Sequence, residues 1–355
     1  MTAVVLTGHG GFDKLEVRTD VAVPVAGPGQ VLIKVGAAGV NNTDINTRTG
    51  WYAKSVTQGS SAGGDGGFES LDDDADGSWS GGFSFPRIQG ADCCGEIVAV
   101  GDGVDAARIG ERVVVRTMQV DYESDSPVGC VVIGSEYDGA FAEFSAVPAI
   151  EAVPVTSDWT DVELASLPCA YSTAEGMIAT AEVTAGQRVL VTGASGGVGV
   201  ATVQLCKVRG ADVVAVCGAA KADAVRALGA DEVLARDADL VAELGESSVD
   251  VVLDVVGGPG FPALLTVLRP GGTYGTVGAI AGPIVDLDLR DLYLKDLTLR
   301  GTTFQAPEHM DNVVRYVENG DLDPAVALTF PLTEIVAAQE AFLAKDHVGK
   351  IVLVP

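Results

Sequence analysis

The stretch Arg188-Val-Leu-Val-Thr-Gly-Ala-Ser-Gly-Gly-Val-Gly199 decides the fold of this chain. Residues 188–192 are mostly apolar or β-branched and predict a buried strand. The glycines of 193–199 predict a tight turn, and the apolar positions of 198–209 predict a helix. A strand, a glycine-rich turn and a helix form the context that a dinucleotide-binding fingerprint requires, and the alternative is an ordinary tight turn of an α/β protein.

The glycines of this turn have separate expected roles. A phosphate can approach the backbone at a helix N-terminus, where free N–H groups and the helix dipole favour negative charge. A side chain at Gly196 would block that approach, and one at Gly199 would crowd the helix against its strand. Ala194 stands where the usual pattern has its first glycine. The candidate dinucleotide contacts are therefore Gly193, Ala194, Ser195, Gly196, Gly197, Val198 and Gly199.

The rest of the chain divides by pattern. After residue 187, strand and helix patterns alternate, which predicts a parallel sheet with helices on both faces. Before residue 155, short strands separated by turns predict a barrel-like β domain. The predicted sheet strands are 188–192, 212–217, 232–235, 249–255, 273–278 and 297–304; the predicted helices are 162–181 (interrupted near 168), 198–209, 220–228, 238–244, 260–268, 310–319 and 333–345; a closing strand is predicted at 350–354.

Charge and composition exclude some functions. The chain has 49 acidic and 22 basic residues, a net charge of −27. It carries no basic stripe, so nucleic acid is not an expected partner. The acidic surface fits either a salt-adapted source or a GC-rich genome. No apolar run approaches the ~18 residues of a membrane helix, no signal peptide is recognisable, and no C-x-x-C pair occurs, so we expect a cytoplasmic protein with reduced thiols.

Two polar segments interrupt the β-rich region. Residues 55–84 are rich in Gly, Ser and Asp, which predicts a flexible acidic loop that overhangs the site, pinned by Trp79 or Phe83. The run Asn41-Asn-Thr-Asp44 follows a predicted strand. Its four polar side chains cannot all be buried without hydrogen-bond partners. Either this run caps a helix or it supplies polar groups to a site.

Taken together, these motifs resemble the medium-chain dehydrogenase/reductase superfamily over the whole chain. The landmarks of the superfamily are residues 38–44, Gly90-Ala-Asp92, residues 100–104 and the closing Gly349-Lys-Ile-Val-Leu353. The quinone oxidoreductase branch is the most similar one in the glycine-rich segment 190–199 and in the positions 204–205 and 210–211 that follow it. The resemblance implies a GroES-like catalytic domain over 1–160, a doubly wound Rossmann domain over 161–299, and a return of 300–355 to the catalytic domain. It also implies a homodimer, for which the apolar segment 284–299 would provide the edge.

The positions of the zinc ligands argue against a metal. Zinc-dependent members of the superfamily use a Cys, a His and a second Cys, and the resemblance puts Asn41, Ala91 and Cys169 at these positions. A catalytic zinc needs three protein ligands, so we expect none here. Recruitment of a metal by Cys169 with Asp92 and Asp44 stays open as the alternative.

The second predicted strand of the sheet bears on the cofactor. Enzymes that use NAD usually carry an acidic residue at the end of this strand. Here the strand 212–217 is followed by Gly218-Ala-Ala-Lys221, which contains no acidic residue. We therefore expect NADPH, with Lys221 facing the 2′-phosphate, unless Lys221 is merely solvated. The resemblance adds Thr173 and Gly278 as contacts near the nicotinamide.

The expected chemistry is hydride transfer to a quinone or an α,β-unsaturated carbonyl compound. The candidate catalytic residues are Asn41, Thr43, Asp44 and Tyr52. Thr43 falls where zinc-dependent relatives place a proton-relay hydroxyl, whereas Asp44 is expected to orient the loop or a water rather than to act as a base. The alternatives are a zinc-dependent alcohol dehydrogenase and a non-catalytic NADPH-binding sensor or structural protein.

Overall fold

The computed structural model describes residues 1–68, 83–121 and 124–355, and within them it has two large β-sheets, two small ones of three and two strands, and the helices around them. In the described part of the chain, no helix has the length and apolar character needed to span a bilayer. The strands are β1 Ala3–Leu6, β2 Leu15–Arg18, β3 Gln30–Val40, β4 Arg87–Ile88, β5 Cys94–Val100, β6 Arg112–Val115, β7 Met118–Val120, β8 Cys130–Val132, β9 Phe144–Pro148, β10 Ala152–Pro154, β11 Arg188–Val191, β12 Asp212–Cys217, β13 Glu232–Ala235, β14 Val249–Asp254, β15 Leu268–Thr276, β16 Thr298–Gly301, β17 Val326–Pro331 and β18 Lys350–Val354. The helices are α1 Asn42–Thr49, α2 Asp161–Leu164, α3 Pro168–Thr180, α4 Gly197–Val208, α5 Ala222–Ala227, α6 Leu240–Leu244, α7 Phe261–Val267, α8 Leu289–Tyr293, α9 Pro307–Asn319 and α10 Ile335–Ala344.

The quoted stretch lies at the centre of a six-stranded parallel sheet. The strand order is β13-β12-β11-β14-β15-β16, so β11 has a neighbour on both sides. Val189, Leu190 and Val191 are fully buried, because helices cover both faces of the sheet. The predicted parallel sheet is therefore confirmed, although β15 begins five residues earlier than the pattern indicates.

The second sheet collects strands from both ends of the chain. Its order is β10-β6-β5-β3-β18-β17, and β9 also pairs with β3. The last strand, β18, pairs antiparallel with the end of β3, with Val352 opposite Gly39. Because β3 leads directly into α1, this pairing brings the C-terminus beside the polar run that begins at Asn41.

Part of the segment predicted to be a flexible loop contacts the rest of the protein at residues 59–67. A 3₁₀ turn spans Ser60–Gly63. The buried guanidinium of Arg48 donates to the carbonyl oxygens of Gly10 at 2.9 Å and Gly64 at 2.6 Å and stacks 4.5 Å from the centre of the Phe12 ring. Trp79 lies outside the described residues, while the Phe83 ring packs against Phe85 and His9.

A buried ion pair joins the helices that flank the parallel sheet. The Glu175 carboxylate on α3 is fully buried, and both of its oxygens accept hydrogen bonds from Arg209 at 2.8 Å. Asn312 on α9 donates a third hydrogen bond at 3.1 Å. The pair fixes α3, which carries Cys169 and Thr173, to the end of α4.

We expect Arg209→Met to lower the free energy of unfolding by about 3 kcal/mol, because it leaves the Glu175 carboxylate buried without its cation. Chemical denaturation monitored by circular dichroism measures this. The control is Arg226→Met, whose partner Asp223 is fully exposed, and which should cost less than about 0.5 kcal/mol. Equal losses in the two variants would contradict the role given to the buried pair.

Candidate active site

One large cleft lies at the carboxyl ends of β11, β14 and β15, where parallel sheets usually bind ligands. It lies between this sheet edge and α1. The cleft brings together residues that lie far apart in the sequence. Its walls include Asn42, Thr43, Asn46, Trp51, Tyr52, Met118, Val132, Cys169, Thr173, Gly193, Gly196, Gly197, Val198, Gly199, Val255, Val277, Gly278, Ile280 and Gln305.

The glycine-rich turn forms one wall, and its glycines are required for different reasons. Gly193 has a φ of +59°, a backbone conformation that favours glycine. A Cβ at Gly199 would overlap the carbonyl oxygen of Gly193, whereas one at Gly196 would meet no neighbouring atom closer than 3.6 Å. The face of Gly196 is therefore open to a ligand at the N-terminus of α4.

Two other candidates from this turn do not line the cleft. Ala194 is fully buried beneath the turn. The carbonyl oxygen of Ser195 accepts a hydrogen bond of 3.0 Å from the backbone N–H of Gly349. The segment just before β18 is thus docked on the fingerprint turn.

Thr43 and Tyr52 form a polar pair opposite the glycine-rich turn. The Tyr52 hydroxyl lies 3.3 Å from Thr43 Oγ1, and both side chains line the cleft. Burial raises the pKa of Tyr52 to about 12, so its phenol keeps its proton at neutral pH. The Trp51 ring packs edge-on against Tyr52 at a centroid distance of 5.6 Å and holds its orientation. The pair can present hydroxyl donors to a ligand oxygen.

Asn41 and Asp44, by contrast, lie behind the cleft wall, so Asn41 does not present its amide to the cleft as expected, whereas Asp44 lies where it can orient the loop. Asp44 accepts hydrogen bonds from the backbone N–H groups of Asn41 at 2.8 Å and Ala91 at 3.3 Å. Burial raises the pKa of Asp44 to about 7, against the opposing effect of these donors. The run Asn41–Asp44 therefore both caps a helix and supplies polar groups to the cleft. Asn41 and Asp44 stabilise the start of α1, while Asn42 and Thr43 face the cleft.

A buried ion pair directly behind this wall was missed by the sequence analysis. Lys350, the first residue of β18, places its ammonium 2.7 Å from Asp92 Oδ2 and 2.5 Å from Asn41 Oδ1. Asn41 Nδ2 donates to the same carboxylate oxygen at 2.8 Å. Lys350 is 3% exposed and Asp92 is 0% exposed, so these groups are satisfied by each other rather than by solvent. A lysine inside an otherwise apolar closing strand was the available signal.

The wall formed by α3 carries Cys169 and Thr173. The backbone N–H of Cys169 donates to Asp92 Oδ1 at 2.6 Å, and burial together with the Asp92 carboxylate raises the pKa of the Cys169 thiol. Gln305, which the sequence analysis also missed, donates to Thr173 Oγ1 at 2.7 Å. Gly278 lines the cleft after β15, where a nicotinamide contact was predicted.

A group of cations lies at the end of β12, beyond the cleft. Lys221 donates to the backbone carbonyl of Lys345, and Arg236 reaches the neighbourhood of Gly218. Burial and Lys221 together lower the pKa of Lys345 to about 8. Among the described residues, no carboxylate forms an ion pair with Lys221, Arg236 or Lys345, although the chain as a whole is strongly acidic. Such a group favours an anionic ligand.

Comparison with known proteins covers both halves of the chain. The model of the alcohol dehydrogenase GroES-like domain matches residues 27–157, and that of the zinc-binding dehydrogenase matches residues 197–319. Similar solved structures include complexes with NADPH and with NADH.

Three similar proteins span nearly the same length as this chain. A solved structure from Sinorhizobium meliloti 1021, described provisionally as an alcohol dehydrogenase, is 46% identical to this chain in sequence and has a TM-score of 0.89. The match covers 100% of this chain and 96% of that structure's chain. The acryloyl-coenzyme A reductase of Metallosphaera sedula is 28% identical over 99% of each chain. The quinone oxidoreductase of Homo sapiens is 27% identical over 99% of this chain and 97% of its own.

The open face of Gly196 leads to a prediction that separates ligand binding from stability. Gly196→Ala should leave the thermal unfolding temperature close to that of the wild type, because the new methyl group meets no protein atom closer than 3.6 Å. Affinity for NADPH, measured by fluorescence titration, should fall at least about tenfold because the methyl group blocks the backbone.

Gly199→Ala is the matched control. Its Cβ meets the backbone of Gly193, so we expect a loss of stability of about 2 kcal/mol. If Gly196→Ala bound NADPH as tightly as the wild type, the turn would not be the phosphate site.

Proposed function

Because the chain belongs to the medium-chain dehydrogenase/reductase superfamily, we propose that it is a zinc-independent, NADPH-dependent reductase of quinones or α,β-unsaturated carbonyl compounds. The observation that carries this proposal is the Thr43–Tyr52 pair, which faces the glycine-rich turn across a cleft in which the described residues form no metal-ligand set.

The residues of the cleft fit a nicotinamide dinucleotide. The open face of Gly196 and the N-terminus of α4 would hold the phosphates, and Thr173 and Gly278 would lie beside the nicotinamide. The cofactor, when bound, supplies the hydride. Apolar side chains, among them Val132, Val255 and Ile280, would exclude water from the reacting groups.

The Thr43–Tyr52 pair supplies the hydrogen-bond donors that the oxygen of a carbonyl or quinone substrate needs from the protein. Negative charge develops on the substrate oxygen as the carbon atom conjugated to it accepts a hydride. Hydroxyl donors fixed beside that oxygen stabilise the charge without having to reorganise. Tyr52 keeps its proton at neutral pH and donates its hydrogen bond to Thr43 Oγ1, which leaves the Thr43 hydroxyl to donate to the substrate oxygen.

The residues present do not fit a catalytic zinc. Of the three ligand positions that the resemblance indicates, Asn41 and Ala91 offer no thiolate or imidazole, and only Cys169 remains. Within residues 1–68, 83–121 and 124–355, no three His, Cys, Asp or Glu side chains are grouped as metal ligands. Both oxygens of Asp92 are already engaged by Lys350, Asn41 and the backbone of Cys169.

The cations at the end of β12 support NADPH rather than NADH. No carboxylate stands at the tip of β12, where one would favour NAD, and Lys221 follows in the next turn, with Lys345 and Arg236 adding positive charge around it. These side chains would bind the 2′-phosphate, which NADH lacks.

The edge of the parallel sheet supports the proposed homodimer. β16 is the edge strand, and the segment before it exposes apolar side chains. Ile284 is 69% exposed, Tyr293 62% and Leu294 71%. A second copy paired along this edge would cover them.

We expect Lys221→Met to weaken NADPH binding about tenfold and to change NADH binding less than about twofold, because only NADPH carries the 2′-phosphate. In the wild type, the NADPH affinity should fall as the pH rises through about 8, since Lys345 then loses the proton that gives it charge. Fluorescence titration between pH 7 and 9 measures both effects.

The control for this experiment is Lys34→Met, an exposed lysine on β3. A cofactor preference unchanged by Lys221→Met, together with a pH-independent NADPH affinity, would show that these cations do not contact the 2′-phosphate.

Thr43→Val is expected to lower kcat about a hundredfold, since it removes the hydroxyl that stabilises the substrate oxygen. The dissociation constant of NADPH should stay within about twofold, because Thr43 lies across the cleft from the glycine-rich turn. Steady-state kinetics with a matched cofactor titration tests this. Thr57→Val, at an exposed position nearby, is the control, and a Thr43→Val enzyme with normal kcat would remove Thr43 from the mechanism.

The proposed function itself is tested by following NADPH oxidation with a small quinone and a small enone, and NADP⁺ reduction with simple alcohols. We expect reduction of the quinone or the enone, with NADH at least about tenfold less efficient. Turnover of alcohols alone would favour an alcohol dehydrogenase. Tight NADPH binding without turnover of any acceptor would favour a non-catalytic role.

A further inference from the structure

The side chains that line the cleft are uncharged wherever the structure describes them. Their polar groups are amides, hydroxyls and a thiol, and no Asp, Glu, Lys, Arg or His is among the described lining residues. Charged residues make up 20% of the whole chain, and its net charge is −27. The neutral lining is therefore a property of the site rather than of the composition.

The charged groups next to the cleft are engaged elsewhere. The Lys350 ammonium and the Asp92 carboxylate lie 2.7 Å apart behind the wall and neutralise each other. Lys345 reaches Asn42 Oδ1 at 3.5 Å, but it belongs to the cations at the end of β12, which would bind the 2′-phosphate. These groups therefore leave no free charge for the substrate.

The segments outside the described residues add no cation to this count. Residues 69–82 and 122–123 contain no Lys, Arg or His, and they include six acidic residues. A carboxylate or phosphate on the substrate would thus lose its water in the cleft without gaining a positive partner from the protein. Removal of an unpaired ion from water is costly, so the neutral lining disfavours such a group.

Much of the remaining lining is apolar or aromatic. Trp51, Met118 and Val132 are among these side chains. The indole N–H of Trp51 donates to the carbonyl oxygen of Gln58 at 2.9 Å, so it is already engaged within the protein. Such a lining suits an uncharged and largely apolar molecule.

We propose that the cleft selects its substrates by charge. It accepts uncharged enones or quinones, and it rejects those that carry a carboxylate, phosphate or ammonium group on the part that enters the cleft. The inference rests on the proposed function, within which it narrows the class of substrate.

Three forms of one enone test this with the full-length wild type and NADPH. Benzalacetone is uncharged, and its para-carboxylate and para-trimethylammonium derivatives have the same reacting atoms. We expect kcat/KM of both ionic forms to be at least about a hundredfold lower than that of benzalacetone. The ratios should be the same in about 0.05 M and about 1 M KCl, because salt screens the field of surface charges but hardly affects a desolvation penalty inside a cleft.

The outcomes separate the inference from the proposed function. Equal kcat/KM for the three forms would overturn the inference and leave the reductase function intact. A preference for the ammonium form that disappears at high salt would also overturn it, because the selection would then come from the acidic surface.

If none of the three forms is reduced, the proposed function fails and binding decides the inference. Quenching of the fluorescence of bound NADPH would then report each compound. Binding of benzalacetone alone would support selection by charge, whereas equal binding of all three forms, or no binding of any, would overturn it.

A charge placed in the lining should change the selection. Met118→Lys is expected to raise kcat/KM for the carboxylate form, relative to benzalacetone, at least about tenfold, because the new ammonium can pair with the carboxylate. The control is Val128→Lys, which adds the same charge at a 58% exposed side chain outside the lining and should keep the ratio within about twofold. Equal ratios in the two folded variants would show that the lining does not set the selection, and if Met118→Lys does not fold, the comparison of the three enones decides.

Discussion

The buried ion pair between Lys350 and Asp92 is the contact on which the candidate active site depends. It joins the first residue of the last strand to the segment between β4 and β5, and through Asn41 it reaches the start of α1. The same carboxylate holds the N-terminus of α3 through Cys169. Since neither partner is solvated, each group is stable in the interior only while the other is present. The two ends of the chain are thereby fixed against each other.

Around this contact, the cleft divides into walls with separate tasks. The parallel sheet presents a glycine-rich turn whose open face suits a phosphate backbone. The opposite wall presents hydroxyl groups from α1 and the residues after it, held in place by Arg48 and the 3₁₀ turn at Ser60–Gly63. Positive side chains gather at the end of β12 although the chain carries a net charge of −27.

Local patterns predicted most of the fold and part of the site. The strand, turn and helix of 188–209 and the alternation after them are encoded by short-range periodicity, and Thr43 and Tyr52 do face the cleft. The environment of Asn41 was not predictable in this way, since its partners Asp92 and Lys350 lie 51 and 309 residues away. The contact between Arg48 and Gly64 was not predictable for the same reason, because it depends on the tertiary fold.

The central claim is that this site works without a divalent metal, and the relation between bound zinc and rate tests it most directly. Protein samples carrying graded amounts of zinc, from chelator-treated to zinc-saturated, would be assayed for the single-turnover rate of NADPH oxidation with the best acceptor. The account predicts the same rate at every zinc content, including none. A rate that rises in proportion to the zinc bound per chain would contradict it.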